Sequence, residues 1–203
     1  MKCKEGFRIS KNYCNTSWLE LGLTEQNVRG NNEKWREACN IFKDRIHARY
    51  LKHMDCIESD EFSGFAIMSL SCLLIETLEQ FMRGTQDSKN EGLNYFSKFL
   101  RDNFDGAFNE KTAKIFYRKI RNGLLHNAET KDKCLINIID ENETIDKVII
   151  IEEIDDDNIR VYRDNFYLKL KKVIDNYIED IIKGEKLELR RNLIKKMDFI
   201  CKK

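Results

Sequence analysis

The sequence SGFAIMSLSCLLIETLEQFMRG, residues 63–84, decides the fold class. Serine is a common helix N-cap and glycine a common helix end, so Ser63 and Gly84 are predicted to bound a helix. Apolar side chains cover most sides of this helix, which is typical of a helix at the centre of a bundle. The chain contains no proline, the main helix breaker. These features predict a mainly α protein.

More helices are predicted on both sides of this segment. Apolar residues recur at three- and four-residue steps in four stretches: about 32–57, 92–100, 111–128 and 163–182. Within residues 133–162 the period changes, and three short β-branched segments are separated by turn residues: 134–139, 148–151 and 159–162. The sequence thus predicts a helical bundle with a small β-hairpin or meander inserted before the long C-terminal helix.

Composition predicts three parts along the chain. Residues 1–30 mix turn-forming residues with isolated hydrophobic ones, which predicts an irregular segment docked by Trp18, Leu19, Leu21 and Leu23. Residues 31–184 are predicted to form the helical domain that carries the β-insert at 133–162. Residues 185–203 are predicted to form a basic amphipathic helix.

Charge and cysteine content exclude several classes of function. With 36 basic and 35 acidic residues the net charge is +1, so contact with nucleic acid requires a local patch. The seven cysteines are odd in number, and the N-terminus has no apolar signal core, which predicts reduced, mostly buried thiols in a cytoplasmic protein. Cys39 and Cys72 lie inside predicted helices. No glycine-rich phosphate loop and no membrane-length apolar stretch occurs, which disfavours a nucleotide-modifying enzyme and a membrane partner.

The candidate site is the segment YRKIRNGLLHNAE, residues 117–129. At about 100° per residue, helical geometry places polar side chains along one stripe. These are Arg118, Arg121, Asn122, His126 and Glu129. The opposite face carries Phe116, Ile120 and Leu124, which are predicted to pack into the bundle.

These residue types suit chemistry on a phosphodiester. Histidine transfers protons near neutral pH, and arginine matches phosphate oxygens with a planar fork. Gly123 permits close approach of another backbone or of a substrate. One histidine does not easily serve as both base and acid, whereas two copies in a homodimer do, and an outward-facing Leu125 suits such an interface. The same residues also fit a structural role, in which Arg121 and His126 pair with acids or cover a surface.

The string RNGLLH, residues 121–126, resembles the Rx4-6H signature of the HEPN superfamily, with Asn122 as the polar residue that usually follows the arginine. The stretch LIETLEQF, residues 74–81, is similar to the core helix of HEPN proteins from antiviral and toxin systems. The resemblance covers roughly residues 32–129 and the long helix after the β-insert. It does not extend to the N-terminal segment, the hairpin or the basic tail.

The resemblance implies a metal-independent endoribonuclease that needs no cofactor. Arg121 and His126 would be the catalytic pair, with Asn122 polarising or orienting them, in a cleft shared by two chains. The ribose 2′-hydroxyl would attack its own phosphate and leave a 2′,3′-cyclic phosphate and a 5′-hydroxyl. The implied partners are single-stranded RNA, a second copy of the chain, and an antitoxin or a protein of a prokaryotic antiviral defence complex.

Two questions stay open from the residues alone. Arg118, Tyr117 and Glu129 neighbour the motif and are candidates for substrate binding, although Tyr117 equally fits a core position. The alternative function is a non-catalytic helical module that binds RNA, a nucleotide or a partner protein.

Three charged segments have weaker interpretations. The strip RIHARYLKH, residues 45–53, either touches RNA phosphates or is a solvated helix face, and the latter is favoured. The acidic stretch 140–157 suits a solvated hairpin better than a cation site, because it lacks the full calcium-loop pattern. The basic tail either guides RNA or is the outer face of a last bundle helix, which is favoured.

Overall fold

The fold, seen in a computed structural model, is mostly helical, which confirms the predicted mainly α class. The structure describes residues 3, 5–30, 32–138 and 149–202. Its α-helices are α1 (Asn15–Leu19), α2 (Asn32–Ile46), α3 (Lys52–Ile57), α4 (Gly64–Arg83), α5 (Gly92–Asn103), α6 (Glu110–Ile115), α7 (Asn122–Asn127), α8 (Arg163–Lys183) and α9 (Leu187–Cys201).

Glycine ends the two long helices where the sequence predicts it. Helix α4 begins directly after Ser63 and is followed by Gly84 at φ +66°. Helix α8 is followed by Gly184 at φ +74°. A left-handed residue after the last turn satisfies terminal carbonyl groups, and glycine adopts it without steric cost.

Two predicted helices contain π-helical segments that the sequence pattern does not reveal. Segment π1 (His47–Leu51) joins α2 to α3, and segment π2 (Phe116–Arg121) joins α6 to α7. A π-helix pairs residues five apart, is rare and occurs frequently at functional sites. Apolar residues at four-residue steps do not distinguish this pattern from an α-helix, so the prediction of plain α-helices over 32–57 and 111–128 needs this correction.

The β-insert is present, but its strands pair differently from a meander. The sheet contains β1 (Leu135–Asn137), β2 (Ile151–Asp155) and β3 (Asn158–Tyr162) in the order β1-β3-β2. Strand β1 runs parallel to β3, and β2 runs antiparallel to it. A hairpin, one of the two predicted forms, is thus present and joins β2 to β3. The other predicted form, a meander, is wrong because β1 pairs in parallel with β3.

The turn between β2 and β3 explains where the hairpin forms. The carboxylate of Asp155 accepts hydrogen bonds from the backbone N–H of Asp157 at 2.9 Å and from Asn158 Nδ2 at 2.8 Å. Such bonds stabilise a tight turn and lower the pKa of Asp155. The strand predicted at 148–151 accordingly lies at Ile151–Asp155. The predicted turn at 140–143 and residues 139 and 148 lie outside the described residues.

The chain divides into two compact units. The first unit contains residues 1–53, 80–88 and 174–203, and the second contains residues 54–79 and 89–173. The boundaries predicted after residues 30 and 184 stay a prediction.

The first unit has an aromatic core and a docked N-terminal segment. Phe42 packs against Phe81 and Tyr177, with ring centroids 4.9 and 5.3 Å apart. Trp18 is buried, as predicted, and its Nε1 donates to Asp198 on α9 at 3.0 Å. Leu23 is buried as predicted, but Leu19 is exposed.

A disulfide joins Cys3 to Cys14 in the same segment. The prediction that the thiols are reduced is wrong for this pair, because the loop brings their Cα atoms to 6.0 Å, within disulfide range. The two cysteines are eleven residues apart, and no sequence pattern between them indicates that they lie close together. Cys39 and Cys72 are free and buried, as predicted.

Helix α9 is a packed helix, as the favoured interpretation of the basic tail predicts. Its Arg190 is buried and donates to the carbonyl oxygens of Ile181 at 2.8 Å and Ile182 at 3.0 Å, the last turn of α8. The guanidinium also lies over the ring of Trp35, 4.6 Å from its centroid. A cation at a helix C-terminus satisfies carbonyl groups and complements the helix dipole.

The second unit is built around phenylalanines and a buried arginine. Phe116 stacks on Phe166, with centroids 5.2 Å apart, and Phe96, Phe104 and Phe108 complete the cluster. Arg163, at the start of α8, is buried and donates to the Asp60 carbonyl oxygen and to Ser63 Oγ. This arginine fixes the connection that precedes α4.

The run Glu61–Arg83 is the one described helix whose length and composition suffice to cross a membrane. Half of its most apolar window is buried inside the protein. A buried core helix has the same composition, so this feature is weak evidence for a membrane span.

Candidate functional site

The candidate site lies on the helical run formed by α6, π2 and α7. Asn109 begins this run with a capping box: its side chain accepts from the Thr112 backbone N–H at 2.9 Å, and Thr112 Oγ1 accepts from the Asn109 backbone N–H at 3.0 Å. Phe116, Ile120 and Leu124 are buried, which confirms the predicted inner face. The remaining positions of the run are available to form a polar face.

Segment π2 changes how the predicted stripe is arranged. Tyr117, Arg118 and Arg121 lie in π2, whereas Asn122 and His126 lie in α7. The spacing from Asn122 to His126 is that of an α-helical turn. The residues from Arg118 to Arg121 have π-helical hydrogen bonds. The angle about the helix axis between Arg118 and Asn122 therefore differs from the one that about 100° per residue predicts.

Arg121 is held in place by Glu76 of helix α4. The Arg121 Nε donates to Glu76 Oε1 at 2.7 Å, and Nη2 lies 2.6 Å from the same oxygen. The guanidinium carbon lies 5.2 Å from the centroid of the Tyr117 ring. The Arg121 side chain is only 15% exposed. A mostly covered ion pair with such contacts fixes the direction of the guanidinium group.

Asn122 orients Arg121 and not His126. Its Oδ1 accepts from Arg121 Nη1 at 2.8 Å. Asn122 makes no hydrogen bond to His126, although both are described. Asn122 thus forms a hydrogen bond with only one described member of the predicted catalytic pair, Arg121.

His126 is exposed and makes no hydrogen bond or ion pair with any described residue. Arg118 is likewise exposed, and Glu129 is exposed while its carboxylate accepts from the Thr130 backbone N–H at 3.0 Å. Tyr117 is half-buried with its ring against Phe96. The structure therefore brings Tyr117, Arg121 and Asn122 into contact, but not Arg118, His126 or Glu129.

Gly123 is approached by the protein's own backbone. A Cβ atom there would lie 2.3 Å from the Glu129 carbonyl oxygen and 3.2 Å from Thr130 Cα. The chain reverses at Ala128, which has a left-handed φ of +56°, and Lys131 N–H then donates to the Lys119 carbonyl oxygen at 3.0 Å. The space that Gly123 was predicted to leave is thus occupied by residues 129–131.

Glu76 is the residue of this site that the sequence analysis did not identify. It lies inside the stretch that carries the resemblance, but 45 positions before Arg121. A signal was available: Glu76 and Glu79 are the acids of an otherwise apolar helix, and a carboxylate in such a helix needs a partner.

The surroundings of the site give two further chemical facts. Burial raises the pKa of Cys72, and the charge of Arg121 only partly opposes this effect, so the thiol stays protonated at neutral pH. Among the residues that the structure describes, no group of three or more histidine, cysteine or acidic side chains could hold a metal ion.

Comparison with known proteins adds no assignment. No family model matches the chain, and neither a curated protein nor a solved structure does.

Proposed function

We propose that the chain is a HEPN-type endoribonuclease that cleaves single-stranded RNA without a metal ion, in a prokaryotic antiviral defence or toxin–antitoxin system. The observation that carries this proposal is the exposed imidazole of His126, which has no partner among the described residues and follows by five positions an arginine fixed by Glu76 and Asn122. An exposed imidazole and an oriented guanidinium are the groups that phosphodiester cleavage without a metal ion uses.

In the proposed reaction the ribose 2′-oxygen attacks the adjacent phosphorus, and the bond to the 5′-oxygen breaks. One imidazole removes the 2′-hydroxyl proton, and another donates a proton to the leaving 5′-oxygen. Each chain supplies one His126, so the proposal requires a homodimer with a composite site. Half-buried Leu125 lies beside His126 and suits the contact between chains.

Arg121 would stabilise the charge that develops on the phosphate. Guanidinium has five N–H donors on three nitrogen atoms. In Arg121 each of the three nitrogen atoms directs one N–H at Glu76 or Asn122. Two N–H donors are left for phosphate oxygens. Arg118 and Glu129 would contact neighbouring parts of the RNA.

One observation favours the non-catalytic alternative. The Arg121 side chain is mostly covered and forms an ion pair with Glu76, which is also how a purely structural arginine behaves. In this alternative the helix would bind RNA, a nucleotide or a partner protein without cleaving it.

Cleavage of single-stranded RNA in excess EDTA tests the proposal. We expect the wild-type protein to produce 2′,3′-cyclic phosphate ends and to leave single-stranded DNA intact. His126→Ala should lower the rate by about 10²–10⁴-fold. His47→Ala replaces another exposed histidine and should cleave like the wild type. Absence of wild-type cleavage, or full activity of His126→Ala, would contradict the proposal.

A second comparison separates the catalytic role of Arg121 from its contribution to the stability of the protein. Arg121→Lys retains a charge that can reach Glu76 but loses the planar fork. We expect this variant to keep most of the thermal stability and to lose most of the cleavage. Equal activity of Arg121→Lys and the wild type would support a structural arginine instead.

A further inference from the structure

A basic cavity of about 320 Å³ lies in the first unit, away from the residues of the motif in sequence. Its walls come from the N-terminal segment and from the end of the first long helical run. The residues that matter for its chemistry are Arg8, Ser10, Lys11, Arg49, Lys52 and His53.

The N-terminal loop that forms one wall is firmly attached. Its ends are joined by the Cys3–Cys14 disulfide. Arg45 and Arg49 both donate to the carbonyl oxygen of Ile9, at 2.5 and 3.0 Å. Asn12 bonds to both carboxylate oxygens of Asp44, each at 2.9 Å. These contacts fix the loop residues that line the cavity against helix α2 and segment π1.

The cations of the cavity are not neutralised by direct contacts. Arg8, Lys11, Arg49 and Lys52 form no ion pair with any acid in the described part of the chain. Asp44 interacts electrostatically with Lys11 and offsets part of its charge, which leaves four cations against one nearby carboxylate. Burial, followed by the charge of Arg49, lowers the pKa of neighbouring Arg45 to about 10. A net positive field of this kind attracts anions.

A buried hydroxyl also lines the cavity. Ser10 Oγ is buried and has no hydrogen bond of normal geometry with a described residue. It lies close enough to Asp44 to stabilise the charged carboxylate and to help lower its pKa. A hydroxyl of this kind can donate to a ligand oxygen.

We propose that this cavity binds the phosphate groups of a nucleotide or of RNA. Guanidinium and ammonium groups supply the donors that phosphate oxygens accept. The volume lies at the lower end of ligand-binding clefts, which suits phosphates better than a whole nucleotide. Of the residues that line the cavity only His53 carries a ring, and a single imidazole offers bases less stacking surface than the aromatic side chains of single-strand-binding proteins. Binding therefore depends on phosphates, is insensitive to base identity and does not depend on the cleavage activity proposed above.

Equilibrium binding to three probes tests the proposal: tripolyphosphate, ATP and a fluorescent oligouridylate. The wild type should bind the oligouridylate, ATP or both at low salt, and tripolyphosphate should compete. ATP binding alone identifies a free nucleotide as the source of the phosphates, and oligouridylate binding alone identifies RNA. In Arg8→Glu/Lys52→Glu we expect the affinity to fall at least tenfold, because two exposed cations become acids. For the oligouridylate the salt slope should fall by roughly 1.4.

The control variant Arg101→Glu/Lys172→Glu changes the net charge equally, using exposed cations of the second unit. It should bind the probes like the wild type. Absence of binding to every probe would overturn the proposal. So would equal affinity of the wild type and Arg8→Glu/Lys52→Glu, or an equal loss in both charge-reversed variants.

Discussion

Segments π1 and π2 are the same backbone irregularity in two different electrostatic settings. In π2, Arg121 is paired with Glu76, and Lys119 lies 2.7 Å from a carboxylate oxygen of Asp132. In π1, Arg49 donates to a backbone carbonyl and forms no ion pair within the part of the chain that the structure describes. Lys52, one residue beyond π1, has no acidic partner among the described residues.

The difference shows that the facing element decides what a π segment does. Helix α4 offers Glu76 to π2, so the cation there is oriented and partly satisfied. The N-terminal loop offers Arg8 and Lys11 to π1, so positive charge accumulates instead. The first arrangement suits a positioned catalytic group, and the second suits capture of an anion.

Removing the disulfide should have the largest effect, because it holds the loop opposite π1. For Cys3→Ser/Cys14→Ser we expect the free energy of unfolding to fall by about 3 kcal/mol. Urea unfolding without reductant measures this loss. Cys56→Ser removes an exposed free cysteine and should change little. Equal urea midpoints for the double variant and the wild type would show that the disulfide does not hold the loop.

The second prediction addresses the end of the helical run that contains π2. Gly123→Ala should destabilise the protein by roughly 1–3 kcal/mol, because the new Cβ meets backbone atoms at 2.3 and 3.2 Å. Gly30→Ala is the control, since its nearest neighbour lies at 3.8 Å. Thermal unfolding compares the two, and a larger loss for Gly30→Ala would refute the close approach at Gly123.

The third prediction removes the acid that distinguishes π2. Glu76→Gln should cost about 1–2 kcal/mol, because it weakens a charge-assisted contact that is largely shielded from water. Glu152→Gln breaks the more exposed pair with Arg160 and should cost under about 0.5 kcal/mol. Urea midpoints measure both, and equal losses would mean that the Glu76 pair is no stronger than a surface pair.

Features of the fold with a local cause could be predicted from the sequence, whereas features that depend on distant contacts could not. The helix ends at Gly84 and Gly184 were predictable because glycine after an apolar run has a local cause. The parallel pairing of β1 with β3 was not predictable, because the two strands are more than twenty residues apart in sequence. The tight turn at Asp155, which positions β3, lies between them. The π segments were missed because hydrophobic spacing alone does not report backbone hydrogen bonding.

The candidate site was predictable to a similar extent. The buried face opposite the motif followed from spacing at Phe116, Ile120 and Leu124. The partner of Arg121 did not, since Glu76 becomes its neighbour only after the helices pack. The basic strip at 45–53 was visible in the sequence. Arg8 and Lys11 line the same cavity, but they lie on the N-terminal loop, and no local sequence pattern indicates where that loop packs.

The smallest predicted effect is a gain in stability. Ala128→Gly should stabilise the protein by about 1 kcal/mol, because alanine pays a steric cost at a φ of +56°. Ala66→Gly, at an exposed position in the first turn of α4, should instead destabilise the protein. Differential scanning calorimetry measures both shifts, and shifts of the same sign would refute the strain at Ala128.

Segment π2 has a consequence for how related chains are compared. Pairing residues five apart accommodates one more residue than a regular turn holds. A deletion of a single residue within 116–120 would remove that extra residue, so the run would continue as an ordinary α-helix and the later side chains would face nearly the same way. The same deletion in a regular α-helix would instead turn every later side chain by about 100° about the axis. A chain with the deletion in π2 would keep both the RNGLLH motif and the direction of its imidazole, so a one-residue gap within 116–120 between related chains does not mean that the site is lost.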